Sequence, residues 1–70
     1  MRLKLNDYSD GEILKMIREW RNLSQEELAK KIKKNRRTIY DYEAGNYTYN
    51  MQTLRKIAKE LNLNIIIETK

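Results

Sequence analysis

Two adjacent arginines, Arg36 and Arg37, stand at the start of a predicted helix and are the residues best suited to binding chemistry. Six of the eight residues from Lys30 to Arg37 are basic. A guanidinium group can donate two hydrogen bonds to guanine, and a helix with basic side chains in its first turn suits a DNA groove. The alternative is a charge run that forms only a solvated face. The pair of short helices around the run favours the DNA interpretation.

Two short helices are predicted to position these arginines. The second covers residues 36–44, with Asn35 as its N-cap and Gly45 at its end. The first covers about residues 25–33, and Ser24 begins an S-x-x-E capping box at its start. The connection between the two helices is tight, so the pattern is that of two helices meeting at a turn.

The rest of the chain predicts two further helices and two short strands. Ser9 begins another capping box, which predicts a helix over about residues 10–21. An apolar stripe at helical spacing predicts a helix over about residues 51–61. Alternating or β-branched residues predict strands over about residues 2–5 and 64–69. We therefore expect one mainly α domain over the whole chain, with four helices and a strand at each end.

The predicted C-terminal strand contains three consecutive isoleucines, Ile65, Ile66 and Ile67. A lone strand satisfies neither its backbone groups nor the burial of both its faces. Its partner is either the N-terminal strand or the same strand of a second subunit, and both are possible in one dimeric sheet. These three isoleucines are our prediction for the dimer interface.

Composition narrows the possible functions. The chain has 70 residues, no cysteine, no histidine and a formal net charge of +5. These counts remove disulfides, thiolate metal sites and the commonest general base. With no nucleophile–base pair and no phosphate loop, we expect no enzyme, no cofactor and no metal. Without an apolar run long enough for a membrane or an evident signal peptide, we expect a soluble, cytoplasmic protein.

A further set of apolar residues falls at helical spacing and predicts the core. We expect Trp20 to be a partly buried cover over this core rather than a functional aromatic. The predicted core residues are Leu14, Ile17, Leu23, Leu28, Ala29, Ile32, Ile39, Leu54, Ile57, Ala58 and Leu61.

From about Leu14 to Leu63 the sequence resembles the Xre-like helix-turn-helix family, which includes the phage Cro and lambda-type repressors. The similar segments are LSQEELAKKI, RRTIYDYEAGN and LRKIAKELNLN. Lys33 stands where the family usually has glycine, and a positive φ there would cost roughly 1 kcal/mol. The last residues, NIIIETK, resemble instead the C-terminal strand of certain antitoxins that pair strands across a dimer axis.

The resemblance, together with the residue chemistry, implies a set of DNA contacts. Base contacts are expected from Arg36, Arg37, Tyr40 and Asp41. The arginines could instead contact only phosphates, and Asp41, four residues after Arg37, could instead form an ion pair that orients it. Contacts with the DNA backbone, some of which could be ordinary loop anchors, are expected from Gln25, Asn35, Thr38, Asn46, Tyr47, Tyr49 and Asn50.

Arg18 and Glu43 resemble a family pair that forms a salt bridge beneath the two central helices. The leading hypothesis is a repressor that binds a palindromic operator in double-stranded DNA as a homodimer. An alternative is an antitoxin that binds a toxin and represses its own operon, and a protein-binding scaffold is a third. Either regulator would act at the nucleoid of a bacterial or phage-infected cell.

Overall fold

The structure is a computed structural model that describes residues 2–4, 7–64 and 66–68. None of the helices in these ranges is long and apolar enough to cross a membrane. The described residues contain four α-helices, as predicted, and two short strands. In chain order the elements are β1 (Arg2–Lys4), α1 (Asp10–Trp20), α2 (Gln25–Lys31), α3 (Arg36–Ala44), α4 (Met51–Glu60) and β2 (Ile66–Glu68).

Each helix begins at a polar side chain that caps its first turn. Ser9 accepts a hydrogen bond from Glu12 N (3.2 Å) while the Glu12 carboxylate accepts one from Ser9 N (2.9 Å). Ser24 starts α2 with the same two-way capping box. Asn35 caps α3 and Asn50 caps α4, each through its side-chain oxygen. These caps satisfy amide groups that a helix N-terminus leaves without partners, so the residue at which each helix starts is determined by the local sequence.

Three helices end one or two residues before their predicted ends. The chain leaves each of them through a residue with positive φ: Asn22 (56°), Lys33 (58°) and Asn62 (53°). The amide of the following residue then donates back to a carbonyl of the last helical turn, as Lys34 N does to Ala29 O at 2.9 Å. Such an ending uses otherwise free carbonyls and stops the helix. Lys33, which stands where the family usually has glycine, therefore has a positive φ, and a residue with a side chain is strained there.

The core lies between the helices, with α3 packed against both α1 and α2. Of the predicted core residues, Leu23 and Ala58 are only partly buried, while Ile13 is a buried residue that was not predicted. The prediction for Trp20 is wrong, because its side chain is 61% exposed. The buried apolar residues are Ile13, Leu14, Ile17, Leu28, Ala29, Ile32, Ile39, Leu54, Ile57 and Leu61.

The two strands pair with each other in parallel, in the register Arg2↔Ile66, Leu3↔Ile67 and Lys4↔Glu68. Among the described residues, β2 thus has one edge paired with β1 and its other edge unpaired. The predicted strand residues 5, 65 and 69 lie outside the described residues. The Ile66 side chain is 44% exposed.

Candidate nucleic-acid interface

The α3 helix begins with the two arginines at the surface. All six basic residues between Lys30 and Arg37 are exposed, and the side chain of Arg37 is 78% exposed. Arg36, Arg37 and the half-exposed Tyr40 line one open depression. The free N–H groups of the first turn add a partial positive charge at the same end of the helix. This end of α3 is therefore strongly electropositive and open to a large anionic partner.

Arg37 contacts two residues of its own helix. Its Nε donates to both carboxylate oxygens of Asp41, each at 3.3 Å. Its guanidinium carbon lies 5.7 Å from the centre of the Tyr40 ring, within the range of a cation–π contact. Tyr40 remains on the surface beside the arginines, where we predicted a base contact.

The structure disagrees with a base contact by Asp41 and has the ion pair that was the alternative. The Asp41 side chain is only 9% exposed. Besides the bonds from Arg37, its Oδ1 accepts a hydrogen bond from Asn46 Nδ2 at 3.1 Å. A carboxylate that is buried and already bonded on two sides is poorly placed to accept from cytosine.

Two of the residues predicted to contact the DNA backbone are partly committed to capping. Asn35 Oδ1 accepts from Thr38 N (2.8 Å) and from Thr38 Oγ1 (2.9 Å), so these two residues fix the start of α3. Asn50 Oδ1 accepts from Thr53 N at 2.8 Å at the start of α4. Both asparagines are exposed, and their amide N–H₂ groups remain as donors for a phosphate.

The two tyrosines of the loop after α3, both predicted to contact DNA, have different surroundings. Tyr47 is 65% exposed and available to a partner. Tyr49, by contrast, donates its hydroxyl hydrogen to Asp10 O at 2.6 Å and packs edge-on against Tyr42, with ring centres 5.5 Å apart. Burial, followed by the nearby Asp10 charge, raises the pKa of Tyr49 well above its usual value. The structure therefore assigns Tyr49 a packing role, which disagrees with its prediction as a DNA contact.

Arg18 and Glu43 form an ion pair beneath the interface. Arg18 Nε lies 2.7 Å from Glu43 Oε2 and Arg18 Nη2 lies 3.0 Å from Oε1. Arg18 Nη1 also donates to Leu23 O at 2.7 Å. The hydrogen bond to Glu43 raises the pKa of Arg18 against the opposing effect of burial. Gln25 Nε2 donates to the same Glu43 Oε1 at 3.3 Å, so one carboxylate connects α1, α2 and α3.

Two structural residues were not singled out in the sequence. Arg21 donates from Nε to Leu61 O (3.0 Å) and from Nη2 to Asn62 O (2.9 Å), which caps the end of α4 from the end of α1. Gly11 lies against the backbone of α3: a Cβ there would be 2.8 Å from Tyr42 O and closer still to a carbonyl oxygen of the next residue. Both contacts join elements far apart in the chain, and no local pattern signals them.

Comparisons with known proteins agree with this architecture. The family model described as helix-turn-helix matches residues 14–66. The chain is 35% identical over 63 residues to Multiprotein-bridging factor 1 of Candida albicans, which covers 90% of this chain and 42% of that protein. It is 34% identical over 59 residues to the protein of the same name from Debaryomyces hansenii, covering 84% and 39%. The chain thus spans less than half the length of these relatives.

Among solved structures, the chain is similar to one from the crystal form of the HipB–O1–O2 complex. The TM-score is 0.58 and the sequence identity 32%, over 81% of this chain and 87% of that one. The sequence match covers most of the chain, and the arrangement of the helices is shared with the solved structure. The chain belongs to the Xre-like helix-turn-helix family.

Proposed function

We propose that this chain binds double-stranded DNA with α3 in the major groove and acts as a transcriptional regulator. The observation that carries the proposal is the exposed first turn of α3, where Arg36 and Arg37 stand at the positive end of the helix. Arginines at this place can reach guanine edges, while the neighbouring lysines attract the phosphates. Membership of the helix-turn-helix family supports the same docking geometry.

Backbone contacts in this proposal come from the residues around α3. Gln25, Asn35, Thr38, Asn46, Tyr47 and Asn50 keep this role. The Gln25 amide gives one hydrogen to Glu43 and has a second available for a phosphate oxygen. Such contacts fix the register of the protein on the duplex without reading its sequence.

The regulator is further proposed to be a homodimeric repressor of a palindromic operator. Within the described ranges one edge of β2 is unpaired, which supports this step, because a second copy can add its own β2 there and satisfy both backbones. Two α3 helices related by a two-fold axis would then meet successive major grooves, about 34 Å apart. Binding at a promoter would exclude other proteins from the same DNA.

The test is selection of binding sites from random duplex DNA, followed by affinity measurements at several salt concentrations. We expect an inverted repeat and an affinity that falls steeply with salt, because bound lysines and arginines release counterions. Arg36→Ala or Arg37→Ala should relax the preference at one position, whereas Gln25→Ala should weaken good and poor sites alike. Lys59→Ala, which removes an exposed charge from the far end of α4, is the matched control. No enrichment over random DNA would reject the proposal.

A second candidate is an antitoxin that binds a toxin and uses DNA binding for autoregulation. The last residues of the sequence, NIIIETK, favour it, because they resemble the C-terminal strand of certain antitoxins. If a gene next to the gene for this chain encodes the toxin, its expression alone should arrest growth, and co-expression of this chain should restore growth. Continued growth when the neighbouring gene is expressed alone would count against the antitoxin hypothesis and favour the repressor hypothesis.

A further inference from the structure

Arg36 and Arg37 are adjacent and chemically identical, but their surroundings differ. Arg37 Nε donates to both oxygens of Asp41, and its guanidinium lies near the Tyr40 ring. Within the part of the chain that the structure describes, the Arg36 guanidinium has no such partner. One arginine of the interface is therefore held in place before any ligand arrives, and its neighbour is not.

The carboxylate that holds Arg37 is itself fixed. Asp41 is buried, and Asn46 in the loop after α3 donates to its Oδ1 at 3.1 Å. The backbone amide of Asn46 donates to Asp41 O at 2.9 Å and ties the same loop to the helix. Asn46, Asp41 and Arg37 thus form a chain of contacts that runs from the loop to the surface.

Helix stability alone gives this pair only a small gain. An arginine four residues before an aspartate is the less favourable order of charges along a helix, since the negative end of the helix dipole lies on the side of the aspartate. Burying the Asp41 carboxylate adds a desolvation penalty. The pair instead has a consequence for recognition: it uses Nε, and no described residue accepts from Nη1 or Nη2 of Arg37, whose side chain is 78% exposed.

We propose that Asp41, held by Asn46, is a positioning residue that presents Nη1 and Nη2 of Arg37 to O6 and N7 of one guanine. Arg37, and not Arg36, then sets the preference for guanine at that position. The fixed carboxylate also opposes a phosphate at the same guanidinium, because two anions would meet there. This inference rests on the proposed DNA-binding function and assigns a specificity role within it.

The test uses the selected DNA site and four single-residue variants of this chain. In each half-site every guanine is replaced in turn, and affinities are compared with that for random duplex. For Asp41→Asn we expect the preference for one guanine to fall about tenfold. Binding to random duplex should not weaken, because the variant removes a negative charge near DNA. A purely structural role would instead weaken both kinds of binding together.

The other three variants keep the result decisive if Asp41→Asn does not fold, which circular dichroism would reveal. Arg37→Lys keeps the charge and one donor group for guanine but lacks the two coplanar Nη donors, so the preference for the same guanine should fall at least as far as in Asp41→Asn. Asn46→Ala, a change at an exposed residue, should lower that preference to a smaller degree. Arg36→Lys is the matched neighbour and should leave this guanine preferred, whatever it does to total affinity.

Retention of the full guanine preference by Arg37→Lys would overturn the inference, as would its loss in Arg36→Lys alone. Equal weakening of selected and random DNA by Asp41→Asn would also overturn it and leave Asp41 a structural residue. Each of these results leaves the DNA-binding proposal intact. Absence of any selected site for the unmodified chain would instead reject that proposal, and this inference with it.

Discussion

Glu43 accepts hydrogen bonds from side chains of two other helices, Arg18 in α1 and Gln25 in α2. The side chains of Arg18 and Glu43 are only 12% and 7% exposed. Replacing one partner strands the other charge in a site where water cannot reach it well. The ion pair therefore fixes α3 relative to α1. The position of α3 in turn determines where its two arginines lie.

We expect Arg18→Ala or Glu43→Ala to lower the free energy of unfolding by about 3–5 kcal/mol. A domain of this size has a total stability of that order, so either variant should be largely unfolded at room temperature. Circular dichroism measures the helix that each variant keeps without denaturant, and urea unfolding gives the free energy of unfolding of the unmodified chain. The double variant Arg18→Met/Glu43→Leu should recover much of the loss, since it leaves no charge behind. Melting of both single variants within a degree or two of the unmodified chain would contradict the assignment.

At the same scale, prediction from the sequence worked for capping residues, which have a local partner, and for one ion pair that has a family counterpart. Capping by Ser9 and Ser24 follows from residues three positions apart, and the pairing of Arg18 with Glu43 followed from the resemblance alone. The close contact of Gly11 with α3 was not predictable, because it depends on how two distant helices approach. The sequence did not decide whether Asp41 contacts a base or pairs with Arg37. The exposure of its side chain depends on the loop after α3, whose position the sequence does not show.

At the scale of the elements, the turn between α2 and α3 contains a strained residue. Lys33 has φ 58°, which costs a residue with a side chain roughly 1–2 kcal/mol. Glycine avoids this strain but loses about 0.4–1 kcal/mol through the greater freedom of the unfolded chain. The net gain from glycine is therefore modest and positive, and the strain is confined to the connection that orients α3.

We expect Lys33→Gly to raise the free energy of unfolding by about 0.5–1 kcal/mol, or Tm by several degrees. Lys33→Ala removes the same charge without relieving the strain and should show no such gain. Lys34→Gly, one residue later and without a positive φ, should destabilise the domain. Thermal melting of the three variants side by side is the measurement. A Lys33→Gly domain less stable than Lys33→Ala would show that the turn is not strained.

The capping boxes make the starts of α1 and α2 sensitive to acid. The backbone and then the side chain of Ser9 lower the pKa of Glu12, and those of Ser24 lower the pKa of Glu27. Because both pKa values are lower in the folded state, the stabilisation is present above the ordinary glutamate value of 4.5. It is lost as the pH falls below that value through the lower folded pKa.

We therefore expect the difference in Tm between the unmodified chain and Glu12→Gln/Glu27→Gln to shrink as the pH falls from 6 to about 2. Glutamine keeps an acceptor for the serine amide but does not titrate, so the double variant isolates these two carboxylates from the others. Melting curves across this pH range give the difference directly. Parallel curves for the two proteins would mean that the boxes hold no charge-dependent stability.

At the scale of the whole molecule, the strands raise the question of assembly. β1 pairs with one edge of β2, and Ile66, the first residue of β2, is 44% exposed. A two-stranded sheet of three residues per strand is short for an independent unit. Pairing with the β2 of a second copy would lengthen the sheet, bury Ile66 and fix the distance between the two α3 helices. Operator spacing would then depend on β2 as well as on the helices proposed to contact the DNA.

Deleting residues 64–70, or replacing Ile66 with proline, should give monomers that bind the selected operator much more weakly. Proline removes a backbone donor and suits only an edge strand, so the sheet could not extend. Ile66→Val keeps a β-branched side chain and serves as the control that should remain dimeric. Sedimentation at micromolar concentration measures the assembly, and circular dichroism checks that the four helices persist. A truncated chain that still sediments as a dimer would place the interface on the helices and separate operator spacing from β2.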